Sequence, residues 1–395
     1  MYLKSNKKEE CCGCTACEQV CPVNAISMNS DKEGFKYPII NEHVCVNCNK
    51  CEQVCSFGKN SLENVMGEKN EYPYIYGFKN KSDEIRVNSS SGGAFYAMAE
   101  QVLNNKGYVV GCAFNDKYEA VHVVIESPEE ITRLQKSKYV QSDLQNVFSK
   151  IDNLLGEKRI VLFTGTACQV DGLLNYLKER RRDIKGLITC DIICHGVPSP
   201  LIFKEYLKYR SKKNKVKNVD FRYKTKRGGW SPLVLRIGME DKIYEKTSGE
   251  DIYYRLFFGH YIVRPCCHEC RYTNFNRVSD ITIADFWGIE KSHPEFLDGL
   301  GISLVMVNSE KGKQLFESFK EKHITCNSNK AECIQPNLER PTPKNPNRQL
   351  FWNEFQKKGF KKAALKFGDD SLHIKIRKKI GIVLRKIPLY NLLKK

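Results

Sequence analysis

Two runs of cysteine near the N-terminus constrain this chain more than any other feature. The first run follows the spacing C-x2-C-x2-C-x3-C-P and consists of Cys11, Cys14, Cys17 and Cys21. The second run repeats that spacing, with serine in place of the proline, and consists of Cys45, Cys48, Cys51 and Cys55. In such runs three cysteines wrap one four-iron cube and the fourth reaches the other cube. The sequence therefore predicts two [4Fe–4S] clusters, one on Cys11, Cys14, Cys17 and Cys55 and one on Cys45, Cys48, Cys51 and Cys21.

The duplication extends beyond the ligands, because the pentapeptide CEQVC occurs in both runs. A zinc site pairs two C-x2-C units and has no use for the third and fourth cysteines of each run. A secreted disulfide scaffold is disfavoured, since the N-terminus MYLKSNKKEE lacks the apolar stretch of a signal peptide. We therefore expect residues 1–60 to form a domain that resembles a bacterial two-cluster ferredoxin, in a cytoplasmic protein. Cys12 does not fit this spacing and is not expected to be a cluster ligand.

The net charge of +18 over 395 residues would by itself suggest binding to nucleic acid or to an anionic membrane. Most of that charge lies in residues 356–395, which carry 13 Lys/Arg and only two acidic residues. We predict a basic amphipathic helical tail over 346–395, with an apolar stripe formed by Leu372, Ile376, Ile380, Val383, Ile387 and Tyr390. The tail could contact an anionic membrane, cover an acidic partner or pack on its own body. No motif indicates nucleic acid, and no apolar run reaches the length of a membrane span.

The body of the chain is predicted to be a mixed α/β structure after a linker at 61–80. Residues 81–200 alternate between apolar strands and amphipathic helices, which favours a largely parallel sheet. One long helix is expected over 129–155. Residues 201–345 change in character, with three strands between 216 and 246 that look antiparallel. The predicted fold class is thus multidomain, α+β and α/β, with a small ferredoxin-like domain before a mixed α/β body.

Four later cysteines form a further candidate ligand set. Cys168 and Cys194 each follow a predicted buried strand, where α/β sheets place their ligands. Cys267 and Cys270 form a C-x2-C pair that could close over them. From spacing alone, one alternative remains open: Cys168 and Cys194 could be small buried residues, and the pair could be half of a zinc site.

Several motifs then occur in a characteristic order. They are SSGGAF, SKYVQSDL, GTACQVDGLL, ICHGVPSP and CHECRY followed by NRVSDITIADFWG. Read in this order behind the cysteine duplication, residues 1–345 resemble the family of coenzyme F420 hydrogenase/dehydrogenase beta subunits. The resemblance implies an FAD-binding α/β body with its own [4Fe–4S] cluster, held by Cys168, Cys194, Cys267 and Cys270. Cys266 is the less suitable partner, since only Cys267 completes C-x2-C with Cys270.

The resemblance also implies where the flavin binds. The matching positions are Ser90, Ser91, Gly92, Gly93, Lys138, Tyr139, Gly165 and Thr166. The Ser-Gly-Gly turn before a helix suits a pyrophosphate, although it could simply be a capped helix. The Lys138 ammonium would neutralise phosphate, or it could be solvated. Asp285 and Trp287 are expected to support the cluster loop, and His195 to be structural, with a hydrogen bond to a cluster sulfur or a proton-donor role as alternatives.

These parts predict an iron–sulfur flavoprotein oxidoreductase that couples one-electron transfer through [4Fe–4S] clusters to hydride chemistry at FAD. Ferredoxin or another redox protein is the expected partner, and coenzyme F420 is one hydride partner that the family name suggests. The alternative is an electron-transfer beta subunit of a hydrogenase- or formate dehydrogenase-like complex, without its own substrate. We expect a cytoplasmic protein, with the inner face of the membrane as a second location.

Overall fold

The computed structural model describes residues 1–58, 72–212, 214–225 and 229–368. The strands are β1 Ile26–Ser30, β2 Lys36–Ile40, β3 Tyr74–Lys79, β4 Tyr108–Phe114, β5 Ala120–Ile125, β6 Val161–Thr166, β7 Leu187–Ile192, β8 Val216–Asp220, β9 Val234–Met239, β10 Ile243–Thr247, β11 Ile281–Asp285, β12 Ser303–Val307 and β13 Ile324–Ser328. The helices are α1 Tyr2–Ser5, α2 Ala16–Gln19, α3 Lys50–Gln53, α4 Asp83–Val87, α5 Ala94–Asn104, α6 Ile131–Leu134, α7 Val147–Gly156, α8 Ala167–Glu179, α9 Pro200–Ser211, α10 Ile252–Phe258, α11 Ile289–Ser292, α12 Glu310–Lys320 and α13 Arg348–Phe367.

One eight-stranded sheet forms the centre of the body, in the order β13-β3-β12-β11-β7-β6-β4-β5. Its middle strands β11, β7, β6 and β4 are parallel, as the sequence predicts. The flanking pairs are antiparallel, so the sheet is mixed and not largely parallel. The reason is clearest at β4 and β5, because a five-residue connection can join only antiparallel neighbours.

The predicted linker at 61–80 ends too late, because residues 74–79 form strand β3 inside the sheet. Its side chains Ile75 and Phe78 are 4% and 0% exposed, and such burial supplies the free energy that orders the segment. The predicted division at residue 200 also falls within one sheet, since β11 pairs with β7. The two halves of the body therefore share a core.

The predicted helix over 129–155 is wrong in its middle. Helix α6 ends at Leu134, α7 begins at Val147, and the residues between them run as an irregular segment across the body. Tertiary hydrogen bonds compete with helix formation there. The Gln141 N–H donates to the Pro198 carbonyl at 2.9 Å, and the Asp143 backbone exchanges two hydrogen bonds with strand β5. Local periodicity carries no information about such partners.

The antiparallel arrangement predicted after residue 216 is confirmed by the three-stranded sheet β10-β9-β8. This sheet contributes to an aromatic core shared with α9, α10 and α13. Helix α13 includes the first part of the predicted tail, and its Phe360 and Ala363 side chains are buried in that core. The apolar stripe from Leu372 to Tyr390 lies outside the described residues. Among the described helices, none has the length and apolar character needed to cross a bilayer.

The ferredoxin-like domain packs directly on the body. Ala16, Val20 and Val54 are buried in the same core as residues of α7 and α8. In the turn between β1 and β2, the Glu33 carboxylate accepts a bidentate hydrogen bond from Arg348. This contact is buried, so the domain is held by both apolar packing and an ion pair.

Candidate redox centres and adjoining cavity

The first predicted ligand set lies where the ferredoxin-like domain meets the body, and its members are Cys11, Cys14, Cys17 and Cys55. Burial raises the pKa of the Cys17 thiol, and the neighbouring thiols of Cys11 and Cys55 raise it further. Burial likewise raises the pKa of Cys55 to about 11, again with a contribution from Cys11. The structure therefore brings the last cysteine of the second run next to the first run, as the exchange of the fourth ligand requires.

The second predicted ligand set lies toward solvent, and its members are Cys45, Cys48, Cys51 and Cys21. Of the 18 cysteines, Cys48 alone is exposed. It lies in a loop whose Val44 and Val46 side chains are 42% and 59% exposed. Cys21 is partly buried, and its sulfur accepts the Ala25 backbone N–H at 3.2 Å. The two halves of the duplication thus have different surroundings.

The third predicted set, from the body, also comes together, and its members are Cys168, Cys194, Cys267 and Cys270. Burial raises the pKa of Cys194, and the thiols of the other three raise it further. Cys266 contacts this set through a thiol hydrogen bond to Cys267. Across the described residues, no three His, Cys, Asp or Glu side chains converge on one metal-ion position. In a four-iron cube each thiolate binds a different iron, so the four cysteine sulfurs lie further apart than the ligands of a single metal ion.

Helix α8 brings the first set and the third set together. Cys168 and Gly172 are four residues apart and share a helix face. A Cβ on Gly172 would lie 2.8 Å from the Cys14 sulfur, so that thiol packs directly on the helix backbone. Cys12, which the sequence left without a role, is 7% exposed, and its thiol hydrogen-bonds with both Cys14 and Cys168. Four helical residues rise about 6 Å, so the two sets are close neighbours.

A cavity of about 270 Å³, which is partly open to solvent, lies at the carboxyl ends of β6 and β7. Its wall contains Cys194 of the third set. The predicted flavin residues in the wall are Ser90, Ser91, Gly93, Lys138, Tyr139, Gly165 and Thr166. The structure therefore brings seven of the eight predicted positions to one space beside the cluster set.

The turn over residues 90–93 has the properties of an anion site. The backbone N–H groups of these four residues have no acceptor within the described part of the chain, and they precede the 11-residue helix α5. Free N–H groups at a helix N-terminus attract anions. Gly92 is absent from the wall, because it packs on the sheet: a Cβ there would lie 2.1 Å from the Phe78 carbonyl oxygen.

Lys138 lines the cavity, but its ammonium group is used within the chain. It donates to the carbonyls of Arg133, Leu134 and Gln135 at 3.3, 3.1 and 2.7 Å, at the carboxyl end of α6. Burial lowers the pKa of Lys138 to about 8. The expected pairing with a phosphate is not supported by this geometry, and neither is a solvated lysine. The sequence showed the residue but not the helix end that it would cap.

Arg222 is a cavity residue that sequence reasoning missed. Its guanidinium group donates to both Asp285 carboxylate oxygens at 2.8 and 3.0 Å and to the Ser90 carbonyl at 2.8 Å. It also donates to the Tyr139 hydroxyl at 3.0 Å. Arg222 is 4% exposed, so a single buried side chain fixes three parts of the wall. Asp285 thus supports this network, whereas Trp287 stacks on His195, with ring centroids 5.1 Å apart. The sequence contained one indirect indication of Arg222: an aspartate expected near the cluster loop, Asp285, requires a cationic partner.

Two histidines also line the cavity. Burial lowers the pKa of His195, which lies next to Cys194 in the chain. Burial lowers the pKa of His122 to about 4, so this ring is neutral at pH 7. One ring nitrogen of His122 is 3.1 Å from the Thr164 carbonyl, and the other has no hydrogen-bond partner among the described residues. His122 carried no motif, and only the pairing of β4 with β5 brings it here.

The chain is similar to several known proteins. A 4Fe-4S dicluster domain matches residues 10–59. The chain is 23% identical over 333 residues to a subunit of the F(420)H(2) dehydrogenase of Methanosarcina mazei, and the match covers 79% of this chain and 82% of that protein. A chain in the xenon-derivatised F420-reducing [NiFe] hydrogenase complex of Methanosarcina barkeri has a TM-score of 0.48 and 16% identity, covering 77% of this chain and 93% of that one.

The body matches two models of one family. The model for the N-terminal part of the coenzyme F420 hydrogenase/dehydrogenase beta subunit matches residues 75–149. The model for the C-terminal part of the same subunit matches residues 158–331. The chain, with its N-terminal dicluster domain, therefore belongs to the family of coenzyme F420 hydrogenase/dehydrogenase beta subunits.

Proposed function

We propose that this protein is an iron–sulfur flavoprotein oxidoreductase with three [4Fe–4S] clusters and one FAD. In this proposal the three cysteine sets each hold one cluster and the cavity holds the flavin. One observation carries the proposal: Cys194 of the third set lies in the wall of the same cavity as seven of the eight positions that the family resemblance assigns to flavin binding.

The order of the centres follows from exposure and contact. The second set includes the exposed Cys48 and is where a redox protein such as ferredoxin would exchange electrons. The first set comes next, because its Cys17 lies close enough to Cys51 of the second set for that thiol to raise the Cys17 pKa, and its Cys14 packs on the helix that carries Cys168. The third set reaches the cavity through Cys194. Each centre thus adjoins the next, from the protein surface to the cavity.

FAD, when bound, supplies the exchange between one-electron transfer and two-electron hydride chemistry. The chain's own groups would hold it. The free N–H groups of Ser90, Ser91 and Gly93 would bind the pyrophosphate, without help from Lys138. Arg222 keeps that turn in place through its bond to the Ser90 carbonyl. We further propose coenzyme F420 as the hydride partner, on the basis of the family and of the name of the Methanosarcina mazei relative.

Cofactor analysis under anaerobic conditions tests the proposal. Reconstituted protein is expected to hold about twelve irons per chain, three cubes of four, together with one flavin. The bound flavin is then titrated in turn with reduced ferredoxin, reduced F420 and NADPH, and bleaching at the flavin absorbance identifies the donors. Four or fewer irons, or no flavin in the presence of excess FAD, would rule the proposal out.

A second candidate is an electron-transfer subunit of a larger complex, without its own substrate. The names of the matched family and relative favour it, because both describe subunits. Purification of the native protein under anaerobic conditions separates the two candidates. Stable association with a large hydrogenase or dehydrogenase subunit, and no F420 turnover by the isolated chain, would select this second function.

A further inference from the structure

Arg264 lies at the junction of the first and third cysteine sets and has no assigned role. Its side chain is completely buried. The guanidinium donates to the Cys11 carbonyl at 2.8 Å, to the Lys36 carbonyl at 2.9 Å and to the Cys11 sulfur at 3.5 Å. Gly13 makes room for this approach, because a Cβ there would lie 2.9 Å from the guanidinium. The arginine thus inserts into the loop that carries the first run.

The charge of Arg264 needs a partner. A guanidinium is always protonated, and a buried charge without compensation costs several kcal/mol. Within the described residues no carboxylate forms an ion pair with Arg264. Its other contacts there are uncharged: the Gln141 amide oxygen at 2.9 Å and the faces of the Tyr37 and Phe35 rings, with centroids 4.4 and 5.4 Å away. Within that part of the chain, the negative charge of a cluster bound to thiolates is the feature that can balance this cation.

The second set has no comparable setting among the described residues. Its sulfur contacts there are with neutral groups: the Ala25 N–H on Cys21, the Asn47 amide oxygen near Cys45, and the backbone of Cys51 and Glu52 at the Cys51 thiol. The neighbouring Lys50 ammonium is paired with Glu179 at 3.1 Å and is partly exposed. Cys48 is exposed, so water would screen a charge placed beside the second set. A charge at the buried position of Arg264 is screened much less.

We propose that Arg264 is the internal counter-ion of the first cluster and raises its reduction potential above that of the second. The inference rests on the proposed presence of these two clusters. A fixed positive charge favours the reduced cluster, because reduction adds one negative charge. Electrons would then be drawn from the exposed second cluster toward the one next to helix α8. Arg264 is a positioning residue that acts through the Cys11 ligand.

Potentiometric titration of the full chain, followed by electron paramagnetic resonance, tests this role. In Arg264→Gln, the second cluster's potential should stay unchanged, and the third cluster's should fall slightly because the Cys267 N–H is hydrogen-bonded to the Arg264 carbonyl at 3.0 Å. The first cluster's potential should fall most, so that electron transfer to it from the second cluster becomes at least tenfold less favourable, which is about 59 mV. Arg264→Lys keeps the positive charge but loses the planar set of guanidinium N–H donors. It should lower the potential of the first cluster by less than Arg264→Gln does. The control is Arg86→Gln, a buried arginine paired with Asp298 elsewhere in the body, which should leave all three potentials unchanged.

The role of Arg264 is refuted if neither Arg264 variant lowers a potential, or if Arg86→Gln lowers one equally. Iron and flavin content are measured on every sample. A wild-type protein that lacks three clusters would refute the proposed function itself. Wild-type protein with about twelve irons and variants with unshifted potentials would refute only the role of Arg264. If Arg264→Gln does not take up iron, the lysine variant alone decides.

Discussion

The two cysteine runs share their spacing and the pentapeptide CEQVC, and they have very different surroundings. The first run lies against helix α8 and beneath Arg264, with Cys12 and Cys14 in contact with the body. The second run faces solvent, and its Cys48 is exposed. The ligand pattern decides which cofactor a run can hold, whereas the surroundings decide its potential and its neighbours. Duplication followed by unequal burial can therefore turn two identical sites into an ordered pair.

Removing one ligand from each run is the most severe way to compare them. Cys14→Ala should abolish flavin reduction by ferredoxin, because it removes the centre next to Cys168. Cys48→Ala should slow the reaction and leave a measurable rate, since the first and third sets still adjoin. Both variants should hold about eight irons instead of about twelve. Stopped-flow absorbance measures the flavin, and equal rates in the two variants would contradict the proposed order.

Breaking the ion pair that holds the ferredoxin-like domain to the body should cost substantial stability, whereas breaking a pair near the second run should not. Glu33→Gln leaves the buried Arg348 charge without its partner, and such a loss costs about 3–5 kcal/mol. Glu52→Gln is the matched control near the second run, because its partner Lys4 is 64% exposed and surface pairs contribute about 0–1 kcal/mol. Denaturant unfolding compares the two variants. Equal losses would mean that the ferredoxin-like domain is not anchored through Glu33.

Filling the contact at α8 should disturb the junction while sparing the second run. In Gly172→Val a side chain would occupy the position of the Cys14 sulfur, and overpacking of this kind costs about 1–3 kcal/mol. Gly249→Val is the control, since a Cβ there has no neighbour within 4 Å. Magnetic coupling between the first and third clusters should weaken in Gly172→Val alone. Unchanged coupling would show that the two sets do not meet at this helix.

The smallest difference that we expect between the two runs is in the rate at which each loses iron to a chelator. The second cluster should lose its iron several-fold faster than the first, because water and chelator reach Cys48 but not the buried junction. Iron release under anaerobic conditions, followed by mass spectrometry of alkylated cysteines, identifies the order. Simultaneous loss from both runs would contradict the difference in burial.

Much of the site could be predicted because its signals are local in the chain. The spacing of the two runs, the C-x2-C pair at Cys267 and the Ser-Gly-Gly turn each depend on a few consecutive residues. The failures have a common cause. The helix expected over 129–155 and the phosphate role of Lys138 both depended on partners that the local pattern does not show, namely the Pro198 carbonyl, strand β5 and the end of α6. Periodicity does not indicate which other group will compete for a hydrogen bond.

The sequence by itself determined that the N-terminal domain is of the 4Fe-4S dicluster kind, because a thiolate spacing is a local property of the chain. It also determined the family, through motifs in a fixed order. Only the tertiary structure decided that Cys12 and Gly172 join two cysteine sets, that Arg222 fixes the cavity wall and that Arg264 lies beneath the first run. These contacts span long sequence distances and arise from the packing of one domain on another, so no pattern along the chain records them.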